Sequence, residues 1–219
     1  MITANIHKIN QEIGAHARLI AVSKTKPLEL LQEAYDGGQK IFGENKVQEL
    51  VQKYEALPKD IEWHLIGHLQ SNKVKYIAPF VAMIHAVDSL KLLQTINKEG
   101  EKNNRVIPCL LQIFIAQEET KFGLNQDELF ELLDSLKTTP LPHIQICGLM
   151  GMASNVENET QIRNEFKGLK NLFELVRTNY FANQESFKEI SMGMSGDYPI
   201  AVQEGATLVR VGSLIFGER

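Results

Sequence analysis

Lys24 follows the apolar run Leu19-Ile20-Ala21-Val22 with only Ser23 between, and Pro27 opens a helical pattern three residues later. An amine tipped out of a buried strand is an awkward solvated cation and a good nucleophile toward a carbonyl. Desolvation and neighbouring positive charge lower a lysine pKa and leave free base to attack. Lys26 shares the strand parity of Lys24 but sits directly before the proline, where the chain turns outward, so Lys24 is the expected amine. Far along the chain come two turns rich in glycine and serine, Ser191-Met192-Gly193-Met194-Ser195-Gly196 and Gly212-Ser213. Glycines let backbone N–H groups approach an anion closely, and the Ser195 and Ser213 hydroxyls add donors. The run Leu208-Val209-Arg210-Val211-Gly212 alternates so that Leu208, Arg210 and Gly212 share one face. A buried arginine keeps its charge and needs a partner. Pairing with a carboxylate is one reading of Arg210, and an aromatic ring nitrogen is the other.

The elements that must bring these groups together alternate along the whole chain. Strand-like runs are expected at Leu19–Val22, Lys40–Phe42, Glu62–Ile66, Ala82–Ala86, Val106–Ile115, Gln145–Leu149, Lys188–Ile190 and Leu208–Val211. Amphipathic segments lie between them: Val47, Leu50, Val51, Tyr54 and Leu57 fall on one helical face. So do Ile162, Phe166, Leu169, Phe173, Val176 and Tyr180, the longest such stripe. Ser89 and Asn125 read as helix N-caps, and residues 2 to 14 as an extra leading helix. Eight strands each followed by a helix predict one α/β domain over 1–219, a (β/α)8 barrel, with a doubly wound open sheet as its rival. The short tail after the eighth strand predicts a stunted last helix.

In a barrel of this kind the active face is the carboxyl end of the strands, and phosphate commonly sits between the loops after strands seven and eight. Lys24, Asn45, both glycine turns and Arg210 then share one rim. A lysine for an aldehyde, glycines and serines for a phosphate and an arginine for a ring nitrogen describe a pyridoxal 5′-phosphate site, with the cofactor held as an aldimine on Lys24. The expected cofactor-binding set is Lys24, Asn45, Ser191, Gly193, Ser195, Arg210, Gly212 and Ser213. Asn45 is the residue that would reach the phenolic oxygen of the ring. His64 and His68 have a metal-compatible spacing only on a helix, and Glu62–Ile66 reads as a strand, so no metal site is expected. His64 and His85 read as hydrogen-bonded interior histidines. Met150, Met192 and Met194 are plausible soft packing around a flat ring.

Bulk properties narrow the class. The net charge of -4 carries no basic stripe, which argues against nucleic acid. No apolar stretch approaches the roughly 18 residues of a membrane span. The first residues lack the apolar core of a signal peptide. The two cysteines, Cys109 and Cys147, fall in apolar strand-like runs, and buried reduced thiols there fit a cytoplasmic protein.

Read in order, Ala21-Val22-Ser23-Lys24-Thr25-Lys26-Pro27, Phe42-Gly43-Glu44-Asn45, Trp63-His64-Leu65-Ile66-Gly67, Leu69-Gln70-Ser71-Asn72-Lys73, Gly148-Leu149-Met150, Ser191-Met192-Gly193-Met194-Ser195 and Val209-Arg210-Val211-Gly212-Ser213 resemble the pyridoxal phosphate homeostasis proteins. The likeness runs from about Leu19 to Gly217. That family is similar to the barrel domain of alanine racemase standing alone. The resemblance implies a fold-type III barrel with pyridoxal phosphate on Lys24 and a part in intracellular vitamin B6 balance. Lys46 departs from the pattern, standing where an aromatic residue is expected.

Two further functions compete with a cofactor carrier that buffers its cofactor or delivers it to apo-enzymes. A racemase needs a second acid/base group on the ring face opposite the lysine, and no tyrosine is evidently placed there. The chain's end soon after the last strand is expected to leave no room for a partner domain. A phosphosugar lyase using Lys24 without a cofactor is the other. With no exposed apolar stripe, a monomer is expected.

Overall fold

A computed structural model of the chain describes residues 1–117 and 122–218. Eight parallel strands close on themselves in sequence order: β1 (Arg18–Val22), β2 (Ile41–Glu44), β3 (Glu62–Leu65), β4 (Met83–Val87), β5 (Ile107–Ile113), β6 (Ile144–Gly151), β7 (Glu189–Ser191) and β8 (Leu208–Val211). The seal is the β1–β8 pairing, which sets Leu208 opposite Arg18 and Arg210 opposite Ile20. The closed barrel, rather than the open sheet, is therefore the fold.

The helices are α1 (Ile2–Ile13), α2 (Leu28–Asp36), α3 (Val47–Ala56), α4 (Val74–Ile77), α5 (Leu90–Lys102), α6 (Gln126–Thr138), α7 (Glu159–Tyr180), α8 (Tyr198–Gln203) and α9 (Ser213–Phe216). Both expected N-caps form. Ser89 Oγ accepts the Leu92 N–H, and Asn125 makes a reciprocal capping box with Glu128. The stripe on α7 buries Ile162, Phe166, Leu169, Phe173 and Val176. β5 stops two residues short of the expected Ile115 because the Phe114 N–H turns to the Leu124 carbonyl.

Strand alternation sorts the apolar residues into two layers. Ala21, Phe42, Trp63, Leu65 and Val209 point outward and pack beneath the helices. Ile20, Met83, Ala86, Leu110, Cys147, Met150 and Leu208 form a smaller cluster inside the barrel. Cys109 and Cys147 are buried and free. Burial, with Glu189 nearby, pushes the Cys147 thiol up to about 11, and burial raises Cys109 as well. Such thiols are poor nucleophiles at neutral pH.

The leading helix α1 buries Ile2, Ile6, Ile9 and Ile13. Its polar face reaches the far end of the chain: Asn5 Nδ2 donates to the Ile215 carbonyl at 3.2 Å, and the Tyr198 hydroxyl donates to Glu12. Among the described residues no helix is long and apolar enough to cross a membrane.

Candidate functional site

The carboxyl ends of the strands open on a cavity of about 360 Å³. Lys24, from the turn after β1, and Asn45, the first residue past β2, line it together with Ser195, Arg210, Gly212 and Ser213. Val22, Ile66, Met152 and Met194 supply its apolar wall, and Gly196, Lys26, Gly217 and Glu218 complete the rim. The chain thus gathers an amine, a guanidinium and two serine hydroxyls around one small space, from positions at opposite ends of the sequence. Close backbone approach makes this possible. A Cβ at Gly67 would lie 2.4 Å from the Asn45 carbonyl oxygen, so only glycine lets the loop after β3 pass that close to Asn45.

The two glycine turns are tied to each other. The Gly212 N–H donates to Ser195 Oγ at 3.3 Å, and the Arg210 N–H donates to the Gly193 carbonyl at 2.9 Å. Gly193 has φ of 93° and packs its backbone against α8, where a Cβ would meet that of Ala201 at 2.6 Å. Ser191 is fully buried in β7. Its hydroxyl lies 2.5 Å from Arg210 Nη1 and 2.9 Å from His85 Nδ1. Ser191 and Gly193 therefore stand behind the residues that line the cavity.

Around Lys24 the backbone is held by a buried charge cluster. Thr25 has a left-handed φ of 64°, a conformation that costs a non-glycine residue free energy unless its surroundings fix it. They do. The Thr25 N–H donates to Glu49 Oε1 at 2.6 Å, and Lys53 Nζ donates to the Ser23 carbonyl at 2.7 Å. Lys53 also bonds Glu49 Oε1 and Glu44 Oε1, each at 2.7 Å, and the Ser23 hydroxyl donates to Glu44 Oε1 at 2.6 Å. Glu44 is fully buried and Lys53 nearly so. Burial raises the Glu44 carboxyl, against the opposing hydrogen bonds from Lys53 and Ser23. Both neighbours of Lys24 are thereby clamped by one cluster from β2 and α3.

Below the cavity, inside the barrel, His64 Nδ1 lies 2.9 Å from His85 Nε2. Burial, helped by the charge of Arg18, pushes His64 down to about 3, and burial holds His85 well below its ordinary value. Both rings are neutral in the folded protein. Above pH 6.5, the ordinary histidine value, neither state protonates them and they add no pH dependence. Below it the unfolded chain takes up protons that the folded chain refuses, at His64 until about pH 3, so stability is lost as the pH falls. The loss is about 1.4 kcal/mol per pH unit for each ring. Glu44, with its raised carboxyl, works in the opposite sense toward the acid end. Urea midpoints should fall steadily from pH 7 to about 4.5, and His64→Gln should flatten the slope. An unchanged slope in that variant would refute the assignment.

Several participants were not expected from sequence. The cluster of Glu44, Glu49 and Lys53 left a legible trace, because Lys53 falls between Leu50 and Leu57 on the apolar stripe of α3, with Glu49 four residues before it. A lysine inside such a stripe asks for a buried partner. The link from His85 to Ser191 had no local signal, since strands β4 and β7 bring these residues together across 106 positions. Met152 joins Met194 at the cavity, whereas Met150 and Met192 are buried away from it. His68 is separate from His64, resting beside Asp88 at 3.8 Å and stacked on Phe122.

Comparison with known proteins agrees with this architecture. The alanine racemase N-terminal domain family matches residues 1–219. The pyridoxal phosphate homeostasis protein of Aquifex aeolicus is 43% identical over 204 residues, which is 93% of this chain and 87% of the relative. PipY of Synechococcus elongatus, solved with PLP bound, superposes with a TM-score of 0.90 at 34% identity, covering 99% of this chain and all of that one. The same protein without PLP gives 0.92. An alanine racemase from Bartonella henselae shares the fold, with a TM-score of 0.74 at 18% identity, over all of this chain and 60% of that one. Identity of this extent, over an aligned length that takes in nearly the whole chain, makes the chain a member of the pyridoxal phosphate homeostasis protein family.

Proposed function

We propose that the cavity holds pyridoxal 5′-phosphate and that the chain serves intracellular vitamin B6 balance, buffering or delivering the cofactor without a robust catalytic activity of its own. The observation that carries this reading is the shared lining of Lys24, Arg210, Ser195, Gly212 and Ser213 in one cavity of about 360 Å³, within the size range of small-cofactor sites. The donor set fits the group. Lys24 supplies the amine for the aldehyde, the hydroxyls and amides of the two glycine turns suit the phosphate, and Asn45 suits the phenolic oxygen. Ser191 and Gly193 support this set from behind, through Arg210. When bound, the cofactor supplies an aldehyde for amine capture and a ring able to accept electrons.

Arg210 shapes what that ring can do. Burial lowers the guanidinium to about 10, against the pull of the Asp197 carboxylate, so it remains charged at neutral pH. Facing the ring nitrogen, a guanidinium donates a hydrogen bond without handing over a proton, which weakens the ring as an electron sink. Among the described residues no tyrosine lines the cavity, and the Tyr198 hydroxyl is engaged by Glu12. Both points favour a carrier over a racemase.

The proposal extends to apo-enzymes that need pyridoxal phosphate as acceptors, and to a monomer acting in the cytoplasm, where the two buried free cysteines would stay reduced. The test loads the protein with pyridoxal phosphate and then offers it to an apo-aminotransferase. Recovery of aminotransferase activity is expected, with negligible loss of the α-hydrogen from L-amino acids in deuterated water. Rapid hydrogen exchange would establish an enzyme instead, and a protein that takes up no cofactor would remove the reading altogether.

A further inference from the structure

The hydrogen bonds behind Arg210 have a direction. A guanidinium has only N–H donors, so at the 2.5 Å contact Arg210 Nη1 donates and Ser191 Oγ accepts. The hydroxyl keeps one proton to give. Among the described residues, the remaining hydrogen-bond partner of Ser191 Oγ is His85 Nδ1, at 2.9 Å. His85 is neutral, so an accepting Nδ1 places its proton on Nε2, which then donates to His64 Nδ1 at 2.9 Å. His64, also neutral, must in turn carry its proton on Nε2. All four side chains are buried, and none of the links between them passes through a carboxylate.

We propose that Ser191 and His85 are positioning residues for Arg210: a one-way chain of hydrogen bonds, from Arg210 to Ser191 to His85 to His64, fixes the guanidinium at the floor of the cavity. A second anchor, the Gly151 carbonyl at 3.2 Å from Nη2, holds the other arm of the fork. With both arms engaged the guanidinium cannot swing, and the serine rotor and both imidazole tautomers are set by the one group that can only donate. Neutral partners suit this task. A carboxylate bonded directly to Arg210 would compete for the guanidinium with whatever lies in the cavity, whereas a hydroxyl and a carbonyl hold it while leaving its charge available.

What the guanidinium is aimed at rests on the pyridoxal phosphate reading; the chain of bonds does not. The test therefore has two arms. In unloaded protein labelled with 15N-histidine, long-range nitrogen–proton correlation spectra are expected to show both His64 and His85 protonated on Nε2. A proton on Nδ1 of His85 would overturn the proposed direction. In the second arm, Ser191→Ala is expected to speed release of pyridoxal phosphate about tenfold and to shift the absorption of the loaded protein, whereas Ser191→Thr, which keeps a hydroxyl, stays near the parent. Equal release from the parent and from Ser191→Ala, or a threonine variant that behaves like alanine, would overturn the positioning role. A parent protein that never takes up cofactor would sink the functional reading alone, because the tautomer measurement still decides the chain.

Discussion

Lys24→Ala is expected to abolish covalent capture of pyridoxal phosphate, so that borohydride reduction followed by peptide mass spectrometry finds no pyridoxyl group on the chain. Lys26→Ala should leave capture intact. The two lysines are neighbours in sequence and both reach the cavity, but their surroundings differ. Lys26 Nζ donates to the carbonyls of Gly217 at 2.9 Å, Glu218 at 3.0 Å and Phe216 at 3.4 Å, which uses its three donors to hold the end of α9. A side-chain nitrogen tied to three carbonyl acceptors is held away from an incoming carbonyl carbon and is poorly placed as a nucleophile. Lys24 stands half-buried between the two clamped residues Ser23 and Thr25. Capture that survives Lys24→Ala, or disappears with Lys26→Ala, would transfer the role to the other lysine.

The clamp itself should be costly to break. Lys53→Met removes one partner from a buried ion cluster and leaves Glu44 without its opposite charge, which is expected to cost about 3–5 kcal/mol of folding stability. The cost follows from the desolvation of Glu44, which is fully buried, rather than from the worth of the ion pair as such. Adding Glu44→Gln to Lys53→Met should therefore recover part of the loss, and urea unfolding of the two variants checks this. The same change should loosen the turn that carries Lys24. With the Ser23 carbonyl no longer bonded by Nζ, amide exchange at Thr25 is expected to quicken even in conditions where the barrel stays folded. A Lys53→Met protein as stable as the parent would mean that the cluster contributes little.

Much of this molecule was legible in the residues because each element satisfied a local rule. β8 was readable as Leu208–Val211 from its apolar alternation, and α6 from the Asn125 and Glu128 pair that caps it. Lys24 stood out because a cation just past an apolar run has no local reason to be there. Barrel closure was harder. Periodicity describes a strand and its faces, whereas closure depends on β1 meeting β8 across the whole length of the chain. The same limit applied inside the site. Ser191 read as a cofactor-binding residue because it opens the first glycine turn, yet strand register turns its hydroxyl into the barrel, toward His85 and Arg210. Long-range pairing of polar interior groups leaves no spacing signature, so the chain behind Arg210 had none, and of the clamp on Lys24 only the Glu49 and Lys53 spacing on α3 was readable.

The helix α1 has an implication for how the protein is made. Its four buried isoleucines precede all eight strands, but Asn5 meets its acceptor Ile215 from 210 positions further on. A nascent polypeptide can therefore cover part of this segment with α2 and β1, but its contacts with α8 and α9 wait for those helices, and the seam between β1 and β8 cannot lock before Val211 has emerged. Truncating that leading segment should accordingly be felt as misfolding during expression.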